Sequence, residues 1–303
     1  MRPGSRERLL LALAAAFAAA LPSPAAREAL RIATYNVENY LPADRMTAAG
    51  FRPVYPKPER EKAALRAVIR EIAADVLVMQ EMGPRAYLEE LRRDLRAEGT
   101  DYPYTAWGRG ADAERHLAIL SRLPLETVRM HDDLAFPYLG ARESVKRGLL
   151  EASVETAAGP VTIFTVHLKS RLTESDGDPA SAIRRAAEAV AIRDRVLARF
   201  PDPAAARFVL LGDCNDGRNS RAVAALQKRG RVEIATLLPA ADSRGESWTH
   251  AWRREDSYSR VDLILVSGGL LPSVSDGVSR IHDSTYVRSA SDHRPVYIDI
   301  KAR

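Results

Sequence analysis

The chain has 303 residues, 46% of them apolar, and a formal net charge of +5. That length and apolar content bury a sizeable core, which excludes a disordered or fibrous protein and admits one large domain or two ordinary ones. The lone thiol, Cys214, closes no intramolecular disulfide, so the fold must hold by its core alone.

At the N-terminus, Arg2, Arg6 and Arg8 precede an Ala-rich run from Leu9 to Leu21, followed by "PSPAA". A charged region, a short apolar region and small residues at Ser23 and Ala25 predict a secretory signal over residues 1–26, and hence a secreted or periplasmic protein. The run of about 13 apolar residues falls short of the ~20 that cross a bilayer, so no stable membrane insertion is expected. Removing the segment takes away three Arg and Glu7, so +5 falls by two to +3. A mild positive balance is compatible with a polyanionic partner without demanding one.

From Leu30 onward, short apolar runs alternate with helical stretches. "LRIATYNV" reads as a buried strand, "EREKAALRAVIREIAA" as an amphipathic helix and "DVLVMQEM" as a second buried strand ending in a carboxylate. "PRAYLEELRRDLRAEG" places Leu at helical spacing with Gly99 just beyond, which predicts a helix with a C-terminal stop. Strand, helix, strand, helix opens an α/β domain. The middle is strand-rich, with "YPYTAWG", "HLAILSRL", "RGLLEASVET" and "GPVTIFTVHL", the last two joined by a turn at "AAGP". After the polar loop "RLTESDGDP" comes the helix "ASAIRRAAEAVAIRDRVLARF", then the strands "ARFVLLGDCND", "SRVDLILVS" and "RPVYIDI". No Gly/Ser linker or short repeat divides the segments, so residues 27–303 read as a single domain with two stacked sheets and helices outside.

Polar residues interrupt these apolar runs at their ends: Asn36 and Glu38, Glu81, His167, Asp213 and Asn215, Asp262, and the adjacent Asp292 and His293. Burying so many ionisable groups beside core strands is costly unless they pair with one another or with a cation, so they predict one shared polar site. Singly each has a plainer explanation: Asn36 as a turn residue, Glu81 or Asp213 as a helix cap, Asp262 as a partner for Arg260.

"ATYNVENY", "LVMQEM", "TVHLKSR", "GDCND", "RVDLILVS" and "SDHRPV", in this order from residue 33 to 296, resemble the motif series of the endonuclease/exonuclease/phosphatase superfamily. That group includes pancreatic deoxyribonuclease, abasic-site endonucleases, neutral sphingomyelinases and inositol polyphosphate 5-phosphatases. The resemblance implies a four-layer αββα sandwich of two packed mixed sheets flanked by helices, an α/β fold with the site between the sheets. It also implies one or two divalent ions, Mg²⁺ or Mn²⁺, for which hard oxygen ligands are suited. By the same resemblance Glu81 and Asp292 are metal ligands, with Asn36 close to the same ion and Glu38 an extra ligand, direct or through water. His293 would face the phosphorus, oriented by Asp262. Asp213 would handle a proton of the attacking water or of the leaving group, while Asn215 and His167 would stabilise the phosphoryl oxygens.

Arg147, just before a strand leading toward the site, is a candidate phosphate clamp, and Lys169 either reaches a substrate phosphate or sits in a solvated loop. Arg171, Arg184 and Arg185 fall near segments expected to edge the site. Cys214 is expected to point into the core, Tyr104 and Trp107 read as core, and "TESDGDP" as a flexible loop at the rim. The expected activity is an exported phosphodiesterase, an endonuclease or exonuclease on DNA or RNA, with a phosphomonoesterase, a phospholipid or inositol headgroup phosphoesterase, or a non-catalytic phosphate-binding relative as alternatives. No protein partner is implied.

Overall fold

The computed structural model describes residues 29–47, 49–173 and 175–301. The secretory signal expected over residues 1–26 lies outside them.

Two mixed sheets stack face to face. The first has seven strands in the order Ala240–Ala241, Ser279–Ile281, Val296–Lys301, Ala29–Tyr40, Val76–Met82, His116–Ser121 and Tyr104–Gly108. The second has six: Thr236–Leu237, Asp262–Val266, Phe208–Asp213, Val161–His167, Leu149–Val154 and Thr127–His131. Ala29–Tyr40 runs parallel to Val76–Met82 and antiparallel to Val296–Lys301. Val161–His167 runs parallel to Phe208–Asp213, which is antiparallel to Asp262–Val266. Parallel neighbours put their C-terminal ends at the same edge, and antiparallel ones contribute their N-terminal ends there.

The period of two along each strand sorts side chains between layers. Ile32, Val76, Val78, Ile163, Val209, Leu211, Ile264, Ile298 and Ile300 are turned between the sheets and buried there. The alternate positions Ala33, Tyr35, Leu77 and Met79 face outward onto helices α1 (Glu59–Ile72), α2 (Arg85–Ala97) and α5 (Val287–Ala290). Phe164, Val166, Phe208, Leu210, Leu263 and Leu265 do the same on the other side, against α3 (Ala182–Arg199) and α4 (Arg221–Gln227). Three apolar interfaces therefore separate four layers, helix, sheet, sheet and helix.

Helix α1 buries Leu65, Val68, Ile69 and Ile72 at the spacing of one helical face, with Glu59 and Glu61 in its first turn, where acids suit the helix dipole. It stops at Ala73, whose φ of 51° is left-handed. Helix α3 begins at Ala182 because the buried carboxylate of Asp178 accepts the amides of Ile183 (3.0 Å) and Arg184 (2.9 Å). Asp178 also accepts the Tyr138 hydroxyl at 3.2 Å. The "TESDGDP" segment is thus pinned at its end by Asp178, where a flexible rim loop was expected. Cys214 is buried in the outer core, as its place in the strand alternation predicts.

Candidate active site

The strand alternation that builds the core also builds the site. Asn36 shares the inter-sheet face with Ile32, His167 with Ile163, Asp213 with Val209 and Leu211, and Asp262 with Ile264 and Val266. Each stands beyond the last apolar side chain on that face, at the edge where the strand ends meet. Apolar packing thus ends in a polar floor, and all four side chains are buried.

Glu81 does not follow this rule, since its parity would send it to the helix side. Its φ of 61° and the register shift between Met79 and Met82 turn it into the cleft. Glu38, Asn39 and Asn215 are also left-handed, at 46°, 51° and 50°. Four such non-glycine residues around one cleft are a concentration of backbone strain at the site they shape. Gly212, before Asp213, has φ of 143°, and a Cβ there would lie 2.0 Å from the Val166 carbonyl oxygen, so no side chain fits.

These residues form a connected network. Asn36 Nδ2 donates to Glu81 Oε1 (3.3 Å) and Asp213 Oδ2 (3.0 Å). Asp213 also accepts from Asn215 N (2.7 Å) and Asn215 Nδ2 (3.2 Å). His167 Nε2 lies 3.6 Å from Asp213 Oδ2 and 4.0 Å from Glu81 Oε1. His293 Nδ1 is 2.8 Å from Asp262 Oδ2, and its Nε2 faces Asp213 Oδ2 and Asp292 Oδ1, each at 3.9 Å.

Burial alone would push His293 down, but the carboxylates of Asp262 and Asp213 outweigh it and hold the imidazole well above its usual range. Burial likewise drives Asp213 up to about 6, with repulsion from Asp262 and Glu81 opposing the pull of His293. His167 is pushed well below its ordinary value by burial and then by Arg147. The site therefore holds a cationic imidazole, a neutral one and a carboxylate poised to take a proton near neutral pH.

On the other side of Asn36 are the acids. Glu38 Oε2 accepts the Asp292 amide at 3.0 Å, and Asn39 N donates to Glu81 Oε2 at 2.9 Å. Burial and the charge of Asp292 raise Glu38 to about 7, despite the Lys57 ammonium 3.8 Å away. Burial opposes ionisation of Asp292, yet the facing His250 and the charges of His293 and Lys57 hold it down at about 2. Asn36 bonds both Glu81 and the Glu38 amide, and Glu38 bonds the Asp292 amide, so Glu81, Asp292, Glu38 and Asn36 form one linked set of the oxygen donors that a hard divalent cation takes.

Arg147 is buried with its Nε 3.1 Å from Asp112 Oδ2, while its Nη1 has no hydrogen-bond partner among the described residues. Its charge acts on His167 and helps to lower that imidazole. Lys169 is different: its ammonium bonds Ser170 Oγ (3.2 Å) and the carbonyls of Ser170 and Leu172, which favours the loop reading. Arg184 and Arg185 are engaged elsewhere, with Glu143 at 2.9 Å and with Asp216 at 3.1 Å, and do not serve as free rim charges.

The structure adds residues that the sequence did not single out. Lys57 reaches the Glu38 carbonyl at 3.0 Å. The hairpin His250–Trp252 and Ser257–Ser259 brings His250 to within 3.7 Å of Asp292 Oδ2. Both lie in short polar stretches without strand or helix periodicity, and the only available signal was the charged or ring residue itself.

A family model described as "Endonuclease/Exonuclease/phosphatase family" matches residues 33–293. The chain belongs to this family. Its members are phosphoester hydrolases that depend on divalent metal, and the fold above is that of the family. Among solved structures, a Staphylococcus aureus beta toxin mutant with bound magnesium ions is 15% identical over 90% of this chain and 100% of that one, with a TM-score of 0.62. Sphingomyelinase C from Streptomyces griseocarneus is 18% identical over 90% and 99%, at 0.58. A family protein from Leptotrichia buccalis is 16% identical over 90% and 99%, at 0.61. At such identities the likeness is one of fold. No curated protein matches the sequence.

Proposed function

We propose that this family member is an exported phosphodiesterase that cleaves DNA or RNA with Mg²⁺ or Mn²⁺ bound. Asp213 takes the proton of the attacking water as its oxygen bonds to phosphorus and the ester bond to the leaving oxygen breaks. The His293 imidazolium, held by Asp262, faces the phosphoryl oxygens, while Asn215, His167 and Arg147 stand around the same space. The bound cation would neutralise phosphate charge and stabilise the leaving oxygen.

The observation that carries the nucleic-acid reading is a cavity of about 210 Å³ that opens onto Asp292 and His293 and is lined by Trp248, Trp252, Tyr258, Arg253 and Arg288. Aromatic faces stack bases, and arginines take the flanking phosphates. A phospholipid-headgroup reading has its own support in the hairpin Ala43–Thr47 and Gly50–Tyr55, which exposes Met46, Phe51, Val54 and Tyr55. Arginines around the cavity disfavour a cationic headgroup, however, and favour a polyanion. No helix among the described residues is long and apolar enough to cross a membrane.

The test is a Mg²⁺-supplemented panel of plasmid DNA, single-stranded DNA, RNA, sphingomyelin vesicles and phosphoinositides. Nucleic acid should be cleaved, and at sub-saturating concentration its cleavage should fall steeply between low and moderate salt, because phosphate contacts release counterions. Hydrolysis of the small diester bis-p-nitrophenyl phosphate should barely change over the same range. Preferential hydrolysis of a lipid, or equal salt sensitivity for both substrates, would overturn the nuclease reading. Export is tested separately: the mature protein should begin near Ala26 or Arg27, and mass spectrometry of exported material that retained Met1 would contradict it.

A further inference from the structure

The hairpin carrying His250 is tied by its backbone to the "SDH" segment. Ala251 N donates to the Asp292 carbonyl at 2.9 Å, Arg294 N donates to the Thr249 carbonyl at 2.6 Å, and His250 pairs with His293 in an antiparallel bridge. These bonds fix one imidazole beside the acid cluster. The His250 ring lies 4.6 Å from the His293 ring at an interplanar angle of 42°. Ser259 Oγ is 3.5 Å from its Nδ1, which leaves Nε2 turned toward Asp292. Nothing in the hydrolysis outlined above uses this nitrogen.

His250, Asp292 and His293 offer ligand atoms within 4.8 Å of one another. His293 Nδ1 is committed to Asp262, and its Nε2 looks equally toward Asp213, on the phosphate side. His250 Nε2 faces Asp292 Oδ2 at 3.7 Å. That separation is too long for a hydrogen bond. It lies within the span of two donors that share one ion at about 2.0 to 2.3 Å each, and a small closing movement would bring them to adjacent ligand positions.

We propose that His250 is a nitrogen ligand to the divalent ion held by Asp292, so that this site prefers a first-row transition dication such as Mn²⁺ to Mg²⁺. The inference rests on the metal-dependent reading of the site and adds the identity of the metal. Asn36, Glu38, Glu81 and Asp292 offer hard oxygens, which Mg²⁺ accepts well. Imidazole nitrogen favours transition ions, so one such ligand shifts the balance among otherwise similar cations.

The experiment uses the full chain with Mn²⁺ as both ligand and probe. Pulsed electron paramagnetic resonance of the Mn²⁺ complex should show nitrogen-14 coupling that survives in His293→Ala and disappears in His250→Ala. Calorimetry should show Mn²⁺ affinity falling at least about tenfold in His250→Ala, the scale on which altered metal-site partners act, with a smaller change for Mg²⁺. His250→Asn, which keeps a polar side chain in the hairpin, should show the same loss and separates ligation from folding. Nitrogen coupling that persists in folded His250→Ala, or an unchanged ratio of Mn²⁺ to Mg²⁺ affinity, would overturn the proposal. Absence of any dication binding to the wild-type chain would instead overturn the metal-dependent reading beneath it.

Discussion

His293→Ala is expected to lower turnover of a phosphodiester by about 10²- to 10⁴-fold while leaving the fold in place, the range that a positioned acid or base contributes. The side chain is buried but lies in no apolar cluster. It reaches Asp262 at 2.8 Å through Nδ1 and turns Nε2 to the cleft. Its loss removes a cation that Asp262 and Asp213 hold above the usual imidazole range, and it leaves Asp262 facing a void. Asp262→Asn should follow the same trend less steeply, because the ring remains but the carboxylate that keeps it charged and oriented is gone. Steady-state kinetics with circular dichroism on both variants check this. A folded His293→Ala enzyme within tenfold of wild type would remove His293 from the reaction.

How far the sequence alone could go follows from the geometry of strands. Asn36, His167, Asp213 and Asp262 were legible because each interrupts an apolar run, and the two-residue period that buries Ile32, Ile163, Val209 and Ile264 carries them to the same face. Two stacked sheets with helices outside were legible from the order of the elements, and the αββα layering from the family resemblance. Glu81 is also a strand-end acid in sequence, but its parity points to the helix side, and the left-handed φ that turns it into the cleft is not legible there. The short exposed strands Thr127–His131 and His250–Trp252 escaped because their side chains mostly face solvent and carry no apolar alternation. Rim charges are the least legible element. Arg184 and Arg185 look like phosphate ligands in sequence, but Glu143 and Asp216 reach them from segments whose approach only the tertiary fold determines.

Asp213→Asn is expected to cost turnover on a similar scale, about 10²- to 10⁴-fold, and to change the shape of the pH profile. Every group bonded to this carboxylate is a donor: Asn36 Nδ2 at 3.0 Å, Asn215 N at 2.7 Å and Asn215 Nδ2 at 3.2 Å. An amide brings two hydrogens into a space built for an acceptor, so one donor loses its partner and a modest loss of stability accompanies the loss of rate. In the metal-free protein burial raises this carboxyl from 3.8 to about 6. Folding therefore favours its protonated form. Stability drawn from it is complete below the unfolded value and is lost as pH rises through about 6, and Asp213→Asn should abolish that dependence. For catalysis the base must be ionised, so activity rises with pH through its pKa. A bound dication lowers any carboxylate beside it, which places the acid limb of the loaded enzyme at or below about 6. The residual activity of Asp213→Asn should lack this limb. A variant that keeps the wild-type limb while losing rate would assign the titration to another group and leave Asp213 a positioning residue for Asn36 and Asn215.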